Sequence, residues 1–109
     1  YQEIKPDILA LAQTLGSPPT AAIVDDLDAE DIVAAPAGWT SLYLFQDVIL
    51  ESGAMYCQEA MNGVDYAVEN DGIESVMAVY YAGDYGADAA AGASVAAEAN
   101  GIDFTAVET

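Results

Sequence analysis

Apolar residues run along the chain in short blocks separated by Gly, Pro and Asp. From Ala54 to Asn70 they fall at Cys57, Ala60, Met61, Val64, Ala67 and Val68, the spacing of one helical face. Gly63 inside that stretch weakens a helix by roughly 1 kcal/mol relative to Ala. Gly72 stands where the helix would close on a left-handed residue. Ser75 to Tyr81 (SVMAVYY) is continuous, apolar and of strand length. After the turn Ala82-Gly83-Asp84-Tyr85-Gly86, an Ala-rich stretch predicts a helix over about 87–99. Asn100-Gly101 caps it, and Ile102 to Val107 predicts a further strand.

The first half is less regular. In Ile8 to Gln13 (ILALAQ), Ile8, Leu11, Ala12 and Leu15 fit a helix face, but a short buried strand fits equally well. The shortness of the run and its flanking turn residues favour the strand. Ser17 before Pro18 predicts a helix start, with Ser17 as N-cap and Pro18 at the first helical position. That helix is expected to reach about Glu30, with Ala22, Ile23 and Leu27 inward. Ile32 to Ala35 predicts a short strand ending at Pro36. Residues 36–47 predict a loop, and Val48-Ile49-Leu50 a short strand or extended crossing. Strands alternating with helices predict an α/β fold, a parallel sheet with flanking helices joined by right-handed crossovers in a three-layer, Rossmann-like arrangement.

Composition narrows the function. The chain has 109 residues, enough for one modest core, and 54% are hydrophobic. Asp and Glu number 19 against one cation, Lys5, giving a net charge of -18 with no His. Nucleic-acid binding needs Lys and Arg to neutralise phosphates, and an anionic membrane surface would repel such a chain. The acids are spread over the whole sequence, as on a halophile's surface: at about 1 M salt the Debye length falls to about 3 Å and their mutual repulsion is screened. An acidic protein that binds cations or a basic partner is the weaker alternative. Cys57 has no partner for an internal disulfide and reads as a small buried hydrophobe. No apolar run is long enough to span a bilayer and no signal peptide opens the chain. Without an initial Met, the chain is expected to be processed or part of a longer one.

The stretches TLGSPPTAAIVDDLDAEDIVAAPAGWTS, VILESGAMYCQEAMNGVDYAV and GIESVMAVYYAGDYGADAAAGASVAAEANGIDFTAVET carry a family resemblance. They resemble the middle of a type I periplasmic-binding-protein fold, and are similar to the branched-chain amino acid and amide/urea-type solute-binding proteins of ABC importers. Most diagnostic is the closing part: an apolar strand, a small-residue turn ending Asp84-Tyr85-Gly86, a helix with a Gly cap, and a strand ending Val-Glu. The resemblance implies two lobes with solute held between them. Residues 1–46 would belong to the first lobe and 47–109 to the second. It also implies an extracellular or periplasmic, membrane-anchored full-length protein that meets a membrane permease. No cofactor is implied.

Candidate ligand contacts follow from chemistry and from the resemblance. Ligands of open parallel sheets bind beyond the carboxyl ends of the strands. There, helix N-termini offer free N–H groups that hold a carboxylate without Arg. Thr14 and Ser17 add hydroxyls, Asp84 suits a ligand amino group, and Trp39 and Tyr85 are flat walls. By resemblance, the Gly16-Ser17 loop, the Gly38-Trp39-Thr40 loop and Tyr85 fall where family members touch ligand. Each also has a structural explanation: Ser17 and Asp84 as helix caps, Trp39 as lobe packing. The Thr14–Ser17 and Asp84–Gly86 turns are expected to face one groove.

Other classes fit less well. Asp25 to Asp31 is acid-rich, but lacks the Gly that a cation loop requires, and reads as solvated surface. Ile23-Val24-Asp25-Asp26 and QDVILESG resemble parts of a signalling receiver domain. Glu51 and Ser52 stand where a phosphoacceptor Asp belongs, however, and no late Lys exists. An enzyme lacks a His, a base for Cys57 and a phosphate loop. A ligand-sensing domain of a receptor or regulator, built from the same lobes, is the nearer alternative. A partial sheet leaves open edges and an apolar face, so self-association is expected.

Overall fold

The computed structural model describes residues 1–83 and 85–109. Asp84 lies outside the described residues. The chain folds as two compact units, Tyr1–Gly53 and Ala54–Thr109. Both are α/β, as the alternation of apolar runs predicts.

In the first unit, β1 (Ala10–Thr14) pairs parallel with β2 (Val33–Pro36). Helices α1 (Ser17–Ala21) and α2 (Val24–Ala29) form the crossover. Val48 and Leu50 extend the pairing, since the Ala34 N–H donates to Val48 and the Ala34 carbonyl accepts from Leu50, both at 2.8 Å. Val24, Leu27, Ile32, Ala34, Tyr43, Val48 and Ile49 form its core. Leu27 is fully enclosed, so Leu27→Ala leaves a cavity that costs about 2–5 kcal/mol.

Two expectations about the crossover are corrected. Ser17 is not the N-cap: that position is Gly16, at φ 88°, and Ser17 is already helical. The prolines at 18 and 19 have no N–H to satisfy, so a side-chain cap has little to do there. The single helix to Glu30 is instead two helices, broken at Ala22–Ile23, where Ile23 bonds back to Thr20 in a tighter turn. Ala22 is consequently exposed, while Ile23 packs half-buried against the core as expected, and Thr20, Val24 and Leu27 are the buried positions. Counting apolar residues missed Thr20, whose buried hydroxyl donates to the Thr14 hydroxyl at 3.0 Å.

The acidic run ends α2 by backbone bonding. Asp31 adopts φ 54°, its N–H bonds to Asp28 and the Ile32 N–H reaches back to Leu27. Ile32 and Leu27 then meet in the core. This is a Schellman closure with Asp in the place usually held by Gly.

In the second unit, α3 (Tyr56–Asp71), β3 (Ser75–Tyr80), α4 (Tyr85–Asn100) and β4 (Asp103–Glu108) follow one another. Gly72 closes α3 at φ 63°. The strands β3 and β4 are parallel, from Ser75 opposite Asp103 to Tyr80 opposite Glu108. Val64, Ala93 and Ala96 are buried with Ala60, Met61, Val68, Val76, Ile102 and Phe104 around them. The face that α3 buries is the one its spacing predicts. α4 begins at Tyr85, two residues before the expected start, which brings Tyr85 and Gly86 into its first turn. On the opposite face of the sheet, among the described residues, Met77 is 62%, Val79 64% and Val107 41% exposed.

Candidate functional site

Six of the expected ligand contacts lie in the first unit, at the carboxyl ends of its parallel strands. A register shift between Ala12 and Thr14, with Gln13 at φ 58°, bends the end of β1. The Thr14 carbonyl then accepts from the Ala37 N–H at 2.9 Å, joining the 14–17 turn to the 37–40 loop. The Tyr43 hydroxyl adds a second tie by donating to the Ser17 carbonyl at 3.0 Å. Thr14, Gly16, Ser17, Gly38, Trp39 and Thr40 are thereby brought together.

Much of their chemistry serves the loops themselves. The Thr14 hydroxyl accepts from Thr20. The Thr40 side chain accepts from the Leu42 N–H at 3.5 Å, where it caps the short 3-10 turn Ser41–Tyr43. Ser17 and Thr40 are 4% exposed each, so access to them is narrow. The Trp39 ring packs beside Gly53, where a Cβ would come within 3.1 Å of it.

The second unit carries a cavity of about 420 Å³ at the carboxyl ends of β3 and β4. Val79, Tyr80, Tyr81, Tyr85, Gly86 and Thr109 line it. Of these, the sequence points to Tyr85 as a ligand contact and to Gly86 as part of the same groove-facing turn; Asp84, their expected neighbour in the site, lies outside the described residues. Thr109 is held at the rim because its N–H donates to the Tyr80 carbonyl at 2.8 Å, continuing the β3–β4 ladder by one residue. Tyr80, Tyr81 and Thr109 were legible only from their place at two strand ends.

The N-terminal ends of α3 and α4 are fastened to each other beside this cavity. The rings of Tyr56 and Tyr85 are 5.4 Å apart and tilted by 55°, a favourable aromatic geometry. Asp88 accepts from the Cys57 N–H at 3.2 Å, so a carboxylate from α4 serves the first turn of α3. Burial pushes the Cys57 thiol pKa up, and the charge of Asp88 adds to the rise. Lys5, the sole cation, is paired with Glu30 in the other unit, and no cationic side chain lines the cavity.

No protein-family model matches the chain. No curated protein sequence matches it. Solved structures do. A fatty acid ABC transporter substrate-binding protein from Thermomonospora curvata superposes with a TM-score of 0.94 at 28% identity, over 100% of this chain and 29% of that one. A solute-binding protein of an ABC transporter from Rhodopseudomonas palustris BisB5, in complex with 3,4-dihydroxy benzoic acid, superposes with a TM-score of 0.84 at 18% identity. It covers 98% of this chain and 31% of that one. The chain thus spans less than a third of the length of either structure. Over its whole length the chain has part of the type I periplasmic-binding-protein fold, and it is similar to the substrate-binding proteins of ABC transporters.

Proposed function

We propose that the chain is part of the extracytoplasmic solute-binding component of an ABC importer, which captures a small solute between two lobes and delivers it to a membrane permease. The first unit, residues 1–46 together with the crossing segment Val48–Leu50 that pairs with β2, contributes to one lobe, and the second unit, Ala54–Thr109, to the other. No catalytic role is assigned. The intact protein is extracellular or periplasmic and membrane-anchored in this reading; among the described residues no helix is long and apolar enough to cross a membrane.

The observation that carries this reading is the tyrosine-walled cavity at the carboxyl ends of β3 and β4, the place where ligands of open parallel sheets bind. Its lining offers flat apolar walls, hydroxyls and the first turn of α4, and no side-chain cation. An amino acid, an amide or a similar small polar solute matches that lining. The fatty acid and 3,4-dihydroxy benzoic acid in the names of the two similar structures extend the class to carboxylates on an apolar or aromatic body. Such carboxylates would be met by backbone N–H groups and hydroxyls. The Thr14–Ser17 and Gly38–Thr40 loops of the first unit would supply further ligand contacts.

The test is a thermal-shift and calorimetric screen of the intact protein in molar KCl. The probes are leucine, acetamide, urea, decanoate and 3,4-dihydroxybenzoate. A binder at 100 times its Kd stabilises the fold by about 2.7 kcal/mol and raises the melting temperature. Failure of every probe to bind or to shift melting would overturn the reading.

A further inference from the structure

Helix α4 is alanine at half of its positions, yet it holds two glycines, Gly86 and Gly92. Neither is required by backbone conformation: both are helical, and neither is among the positive-φ glycines. Glycine inside a helix costs about 1 kcal/mol relative to Ala. The reason for each is therefore steric. A Cβ on Gly92 would overlap the backbone of Cys57, so Gly92 serves the contact between α3 and α4. A Cβ on Gly86 would come within 2.8 Å of the Tyr80 Cβ and 3.5 Å of the Tyr81 carbonyl. Gly63 in α3 meets nothing within 4 Å, so closeness of this kind is not general to the helices.

Gly86 differs from Gly92 in what surrounds it. Gly86, Tyr80 and Tyr81 all line the cavity, and Tyr85 precedes Gly86 on the same turn. One wall of the cavity is the end of β3, the other is the first turn of α4, and Gly86 is where the two walls touch. Any side chain at 86 must shift one wall against the other. The Tyr80 Cβ cannot swing aside as the far end of a flexible side chain would.

We propose that Gly86 is a specificity-positioning residue: by letting the first turn of α4 lie on Tyr80, it sets the gap between Tyr80–Tyr81 and Tyr85 and so the width of the ligand body admitted. This rests on the solute-binding reading above. Gly86 acts through the tyrosines and needs no contact with the ligand.

The experiment measures Kd by calorimetry for leucine, decanoate and 3,4-dihydroxybenzoate in the intact protein, wild type, Gly86→Ala and Gly92→Ala, in molar KCl. The expected result is that Gly86→Ala changes the ratio of affinities between the widest and narrowest bound probes by at least about fivefold. Gly92→Ala is expected to lower the melting temperature and leave that ratio within about twofold. A Gly86→Ala protein whose affinities all fall by one common factor, or do not change, would show a purely structural glycine and overturn the inference. Should Gly86→Ala lose its helical circular dichroism, Gly86→Ala/Tyr80→Gly removes the atom that the new methyl meets. It is then compared with Tyr80→Gly alone: with the contact gone the two proteins are expected to show equal ratios, and a difference of about fivefold or more between them also overturns the inference. If the wild type binds no probe, the solute-binding reading itself fails and this inference falls with it.

Discussion

The backbone of Gly92 lies so close to the backbone of Cys57 that a Cβ at 92 would come within 2.8 Å of the Cys57 Cα and overlap its carbonyl. Backbone against backbone is as near as two helices can pack, and the small inward face of α4 (Ala90, Ala93, Ala96, Ala97) fits that approach. Overpacking of this kind costs about 1–3 kcal/mol. Gly92→Ala is expected to lose at least that much in a urea titration in molar KCl. Gly63→Ala, which meets open space, is expected to gain about 0.5–1 kcal/mol. Equal effects of the two would contradict the close approach.

Asp31 occupies the left-handed position of a Schellman closure. A residue with a Cβ is disfavoured there by about 1–2 kcal/mol, less for Asp than for most. Asp31→Gly removes that penalty and one negative charge. It is expected to stabilise the fold by about 0.5–1 kcal/mol, measured as a higher urea midpoint. A lower midpoint would count against the closure.

The raised pKa of Cys57 has a definite sign in stability. Burial, with Asp88 adding to it, holds the thiol protonated in the folded chain at a pH where the unfolded chain has begun to ionise. Its contribution is therefore complete below the unfolded value of about 9.0 and is lost as pH rises through the folded one. The urea midpoint is expected to hold between pH 7 and 8 and to fall above pH about 9. Cys57→Ala should flatten the part of that fall due to the thiol. Alkylation by iodoacetamide at pH 8.5 is expected to be slower in the folded chain than in urea, and equal rates would remove the argument.

Tyr85 is a wall of the cavity and is braced by Tyr56. Its ring is worth about 1.4 kcal/mol against a ligand body, or roughly tenfold in affinity. Tyr85→Ala in the intact protein is expected to weaken binding of whichever probe binds by about that factor. Unchanged affinity by calorimetry would remove Tyr85 from the site.

A net charge of -18 spread over 109 residues opposes compaction in dilute buffer. The fold is expected to melt cooperatively as KCl falls from molar to tens of millimolar and to return when salt is restored, followed by far-UV circular dichroism. A melting curve that ignores salt would contradict a halophile surface.

Several features of this fold were written plainly in the sequence, and others were hidden for identifiable reasons. The inward face of α3, the caps at Gly72 and Gly101 and the run SVMAVYY depend on local periodicity and glycine conformation, which one chain displays. The break at Ala22–Ile23 was invisible because Thr20, a polar residue, takes an inward position by bonding to Thr14. Gly86 was read as part of a turn, since nothing local distinguishes a glycine kept for space from one kept for its torsion angles. Tyr85 was legible at its strand-to-helix turn. Tyr80, Tyr81 and Thr109 join it only because β3 and β4 are parallel and in register, a pairing across 28 residues from Ser75 to Asp103.

The uncovered side of β3 and β4, with Met77, Val79 and Val107, gives the salt response a second edge. Ions that let crowded carboxylates coexist on one molecule also hide those carboxylates from the next molecule. Excluded salts strengthen the drive to remove apolar area from water as well. The medium in which the chain is expected to fold is therefore also the one in which electrostatic separation no longer guards that greasy surface, and its colloidal behaviour would be decided by whatever comes to lie over three side chains.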